Sequence, residues 1–159
     1  MAAQKHLAEQ AQNMGMWDEA PALLASLDAL RTAITIFDAQ GRLLYANAHL
    51  NYLLRSLPPH EQLIGRSYED LIRLEIAGGE IAQTALNGGI SAFVAQRLAQ
   101  LSERAFAPLD VFLSDHRVVE IKARRSQSGH TVLLWSDVTA ARAQLARLEE
   151  AVALSAEAF

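Results

Sequence analysis

An α+β domain is what the sequence predicts. Short segments rich in β-branched and aromatic residues occur in two groups, a helical stretch separates the groups, and amphipathic helical patterns flank both ends. The 159 residues are 51% hydrophobic and 20% charged, enough apolar material for a core and too much for a disordered chain. Four segments follow: a polar stretch over 1–15, a flanking helix over 16–31, the domain over 32–137 and a terminal helix over 138–159.

Taken in order, Met16, Ala20, Leu23, Leu27 and Leu30 recur at alternating four- and three-residue steps, one apolar helical stripe, with Asp18 and Pro21 at its start. AITIFD (33–38) and RLLYAN (42–47) are two strands joined through Gly41, which reads as a hairpin. Residues 46–57 predict a helix with Leu50, Leu53, Leu54 and Leu57 on one side, stopped by Pro58 and Pro59. A short helix from Ser67 is expected next, because Ser67 and Asp70 resemble a capping box with a shortened acid. Gly78 and Gly79 break the chain. The helical pattern resumes near Glu80, loosens at Gly88 and Gly89, and runs through 91–105. PLDVFLS (108–114), RVVEIKARR (117–125) and TVLLWSD (131–137) then read as an antiparallel meander with tight turns.

In the last strand Thr131, Leu133 and Trp135 share one face while Val132 and Leu134 share the other, so both faces need cover. The helical insert supplies one. The flanking helix or a second subunit supplies the other. In the terminal helix Val138, Ala141, Leu145, Leu148, Val152, Ser155 and Phe159 follow a heptad seam, which points to a coiled coil and a homodimer. A helix packed on its own domain is the alternative. The chain stops at Phe159 on a seam position, so more is expected downstream in the full protein.

Composition also excludes classes. With no cysteine there is no disulfide scaffold, thiolate metal site, thiol catalysis or cysteinyl-flavin chemistry. A net charge of −4 gives no reason to expect nucleic acid or an anionic membrane, and no apolar run is long enough for membrane insertion. The chain is expected to be cytoplasmic.

IFDAQGRLLYAN, with Asp38, Gly41 and Asn47, then Gly65-Arg66-Ser67, then WSDVT at 135–139, resembles the PAS sensor domain over residues 22–145. The resemblance implies a five-stranded antiparallel sheet with a helical insert. It also implies a signalling role, as the input module of a bacterial protein such as a histidine kinase or a cyclic-dinucleotide enzyme. Asp137 can accept N–H bonds from the first turn of the following helix, and Thr139 can add a hydroxyl bond. Under the resemblance these two form the junction that passes sheet movement into the helix.

A ligand pocket between the sheet and the 91–105 helix would draw on Tyr45, Asn47, Phe93, Arg97, Ile121, Leu133 and Trp135. Arg97, if it faces that pocket, would select a carboxylate; otherwise it is a solvated helix charge. Trp135 fits a stacked ring or an ordinary core. The family's haem ligand is a histidine on the long helix, and 80–106 contains none, so haem is not expected. His6, His49, His60, His116 and His130 read as exposed, with no metal-ligand spacing. The cofactor is therefore unknown; a small organic ligand, a regulatory protein or a ligand-free scaffold stays open. Enzyme fingerprints are absent. A small-molecule enzyme on a related frame, using Asp38, His116 and Asp137, is the alternative of a different class.

Overall fold

A computed structural model describes residues 32–102 and 106–157; the predicted N-terminal segment, the flanking helix and Phe159 lie outside them. Five strands form one antiparallel sheet in the order β2-β1-β5-β4-β3. They are β1 (Ala33–Phe37), β2 (Leu43–Ala46), β3 (Leu109–Phe112), β4 (Val118–Arg125) and β5 (Thr131–Asp137). Between β2 and β3 run three helices, α1 (His49–Leu53), α2 (Tyr68–Ala77) and α3 (Ile90–Ser102), with 3₁₀ turns at His60–Leu63 and Gln83–Leu86. The helix α4 (Thr139–Glu157) follows β5 directly. Both strand groups and the central β1–β5 pairing thus agree with the expected α+β class.

Local chemistry explains the elements. The hairpin between β1 and β2 closes because the Asp38 carboxylate accepts the N–H groups of Gln40 and Arg42 at 2.9 and 3.0 Å, and Gly41 takes φ +76°. Helix α2 begins where expected, with Ser67 Oγ accepting the Asp70 N–H at 3.1 Å. The Gly65-Arg66-Ser67 stretch bonds to β2: Leu43 donates to Arg66 O and Gly65 donates to Leu43 O, both at 2.8 Å. This occupies the open side of an edge strand.

The main core lies between the sheet and the helices. Phe37, Leu43, Ile121, Leu133 and Trp135 meet Leu50, Leu63, Tyr68, Leu71, Ile72 and Val94 there. Each large side chain of this kind contributes about 1.5–3 kcal/mol on burial. On the opposite sheet face Ile34, Ile36 and Tyr45 form a second buried cluster with Val132 and Leu134 against it, so both faces of β5 are apolar as its sequence required.

Three expectations need correction. Tyr45 does not face the insert. A β-bulge between Ile36 and Phe37 pairs Phe37 with Leu43 but Ile36 with Tyr45, so Leu43 and Ala46 turn to the helices and Tyr45 to the other face. Helix α1 spans five residues rather than the whole of 46–57, because Ala46 belongs to β2 and Leu54 leaves helical geometry at φ −117°, ψ 84°. Near Glu80 the chain is extended rather than helical. Ile81 bridges Leu113, and Ala82 donates to Phe112 O at 2.9 Å, covering part of the β3 edge.

Candidate functional site

Arg97 is fully buried on the core side of α3, so it is no solvated helix charge. Its Nη1 and Nη2 donate to the two carboxylate oxygens of Glu75 at 3.1 and 2.9 Å, a bidentate pair from α3 to α2. Its Nε donates to the Tyr68 hydroxyl at 3.1 Å, and that hydroxyl donates to Gln100 Oε1 at 3.1 Å. The guanidinium carbon lies 5.3 Å from the ring centres of Tyr68 and Trp135 and 5.7 Å from that of Phe93. Trp135 in turn donates its indole N–H to Thr35 Oγ1 at 2.9 Å, fixing the ring on the sheet.

Burial governs the ionisation of this cluster. It pushes the Tyr68 phenol up to about 12 and moves the Glu75 carboxyl above its ordinary range, with the Arg97 charge pulling both the other way. Burial opposes the Arg97 charge too, but Glu75 and Tyr68 more than offset it, so its pKa is raised. The bidentate geometry keeps the pair ionic. A charged group thus sits at the centre of the domain with its own internal counterion.

Of the expected pocket residues, Phe93, Arg97 and Trp135 come together, and Ile121 and Leu133 join the same core. Asn47 lies apart from them. It is a clamp at the end of β1: its Oδ1 accepts the Ile34 N–H at 3.0 Å and its Nδ2 donates to Thr32 O at 2.9 Å. Sequence reasoning missed Glu75, Tyr68 and Gln100. A signal was present, since Glu75 follows Leu71 and Ile72 at helical spacing, and Gln100 follows Val94 and Arg97 likewise.

The junction at α4 is built from Asp137, Val138 and Thr139. Asp137 Oδ1 accepts the Thr139 N–H at 3.0 Å and its hydroxyl, and Thr139 Oγ1 accepts the Val118 N–H at 2.9 Å. Val138 N–H donates to Val118 O at 2.9 Å, so both backbone groups of Val118 are held by the root of α4. The preceding residue reaches the other way: Arg117 Nη2 donates to Leu53 O at 2.8 Å at the end of α1. Asp115 holds that guanidinium through Nε at 2.7 Å, and despite slight burial the bonds and charge of Arg117 keep the Asp115 carboxyl below its usual value. One turn into α4, Arg142 Nη2 donates to Asp110 at 3.0 Å and to Glu120 at 2.9 Å. Beyond it α4 buries no residue, and Leu145, Leu148 and Val152 of the heptad seam are exposed, as are Ala141 and Ser155.

Asp38 and Asp137 are thus occupied by turn and junction bonds, and His116 holds the turn position at φ 70°. No described helix is long and apolar enough to cross a membrane.

The sheet order, the helical insert and the helix that follows β5 directly define the class of α+β domain. A model of the PAS fold matches residues 27–146, and the chain belongs to that family. It is similar to the solved phage VqmA–DPO complex, with 15% identity over 82% of this chain and 58% of that one, at a TM-score of 0.52. It is also similar to an RNA-binding Light-Oxygen-Voltage receptor, with 16% identity over 85% and 38% of the two chains and a TM-score of 0.51. A third similar structure is the Photoactive Yellow Protein domain of the sensor histidine kinase Ppr from Rhodospirillum centenum. It shares 19% identity over 71% of this chain and 91% of that domain, with a TM-score of 0.49. Among curated protein sequences there is no match. The chain spans less than two thirds of the first two of these structures.

Proposed function

We propose that this PAS domain is the cytoplasmic input and dimerisation module of a bacterial signalling protein, in the first instance a histidine kinase, and is not itself an enzyme. A ligand or partner acting on the sheet would change how α4 leaves Val118, and α4 would carry that change to an output domain. The observation that carries this reading is α4 itself. Its root is tied to β4 by Thr139, Val138 and Arg142, while its seam leucines are exposed on the described domain. A helix held at one end and carrying an exposed apolar seam is suited to pairing with a second copy. Biasing two such helix arrangements by a few kcal/mol is enough for a switch.

Replacing Leu145 and Leu148 together by Asp is expected to convert a dimer into a monomer in native mass spectrometry. Unchanged association would remove the dimerisation part of the proposal. A constitutive scaffold of the same fold is the second reading, favoured by the internal pairing of Arg97 with Glu75, which leaves the guanidinium no unmet need for a carboxylate ligand. A discrete extra mass on the dimer supports the sensor; a bare dimer across a metabolite panel supports the scaffold.

A further inference from the structure

Gln100 is 1% exposed, and while its Oε1 accepts the Tyr68 hydroxyl, its Nε2 has no hydrogen-bond partner. Buried amide groups are rarely left so. Among the described residues one other buried side-chain atom shares this state, Nε of Arg142, whose side chain is 41% exposed. Reversing the Gln100 amide gives no remedy. The Tyr68 oxygen already accepts from Arg97 Nε at 3.1 Å, so its proton needs an acceptor, and Oε1 is the one in place. The Gln100 amide protons are therefore met by no group of the described residues.

The charge of the surroundings narrows what could meet them. Arg97 and Glu75 cancel each other, so a bound anion or cation would leave a net buried charge beside them. A neutral group with an acceptor would not. An open cleft of about 530 Å³ is walled by Leu98 and Leu101 of α3 with Gly41, Ser67 and Tyr68, and Tyr68 is the residue whose hydroxyl meets Gln100. That volume is of the size of ligand sites. Both leucines are only partly buried, so they are the side chains that a ligand would move aside.

We infer that the Gln100 amide is the recognition donor for a small neutral ligand carrying a carbonyl or ring-nitrogen acceptor, admitted past Leu98 and Leu101. The inference rests on the sensor reading above and names the ligand class of that core.

Acetophenone, benzoate and ethylbenzene make a near-isosteric set: neutral acceptor, anion and no acceptor. Each is titrated into the full chain while the Gln100 side-chain amide and Trp135 indole signals are followed by NMR. Acetophenone is expected to shift the Gln100 amide and to bind about tenfold tighter than either of the others, the equivalent of about 1.4 kcal/mol. In Gln100→Leu that preference over ethylbenzene is expected to vanish, and Gln100→Met, which keeps the side-chain length, serves the same purpose if the leucine variant does not fold. Tighter binding of benzoate, or a preference that survives both variants, overturns the ligand class alone. Silence of both signals toward all three compounds overturns the ligand-sensing reading as well.

Discussion

Inside the domain Arg97 and Glu75 are 0% and 1% exposed, whereas on α4 Leu145, Leu148 and Val152 stand 47%, 57% and 68% exposed. Folded chains usually arrange these residue types the other way round. In the core the reversal is compensated on the spot, because every charge of the pair has a partner and three rings enclose the guanidinium. On α4 these side chains stay exposed on the described domain. The comparison separates two kinds of anomaly: one that the fold satisfies by itself, and one that it leaves for something else to satisfy.

The two regions should therefore break differently. Arg97→Met strands the Glu75 carboxylate, and a loss of about 3–5 kcal/mol is expected from denaturant unfolding. Adding Glu75→Leu should recover most of that loss; no recovery would mean that the ring contacts, not the ion pair, hold Arg97. Alkaline pH gives the next largest effect. A phenol raised from about 10 to about 12 in the folded state contributes its full stability below pH 10 and loses it as pH rises towards 12, about 3 kcal/mol in all. Tyr68→Phe should flatten that part of the stability profile.

At the root of α4, Thr139→Val removes the acceptor for the Val118 N–H and should cost about 1 kcal/mol. Hydrogen exchange at Val118 should rise with it, and an unaltered rate would discount the hydroxyl as a tie. Further along the helix, Leu145→Asp with Leu148→Asp should change the stability of the isolated domain by no more than about 0.5 kcal/mol. A larger loss would mean that α4 folds back on its own domain.

Much of the fold was legible because its signals are local. The two-residue period of TVLLWSD identified β5 and both its faces, and Ser67 marked the start of α2. The bonds between Asp137 and Thr139 were readable for the same reason, since they reach two residues along the chain, whereas the tie from Thr139 to Val118 spans 21 and was not. Tyr45 was not, because β2 itself bulges at Leu44, which sets Tyr45 on the face opposite Leu43, and the apolar run LLYA does not show which residue is the extra one. The core cluster was half legible: Arg97 stood out on an apolar helix, but its counterion sits on a different helix, 22 residues earlier. Arg117 could not be found at all. Its partners there are Asp115 and backbone carbonyls of α1, and any residue type supplies a carbonyl.

Asp110 and Glu120 stand directly opposite each other on β3 and β4, an arrangement of like charges that strands normally avoid. Lys122 of β4 lies 3.7 Å from Glu120, but the cation that bridges both carboxylates is Arg142, and it belongs to the helix rather than to the sheet. The last strand closes at Asp137, yet the counterion of Asp110 comes only five residues later. A fragment ending with the strand would leave Asp110 facing Glu120 without its arginine, so the first turn of α4 belongs to the same unit as the sheet it follows.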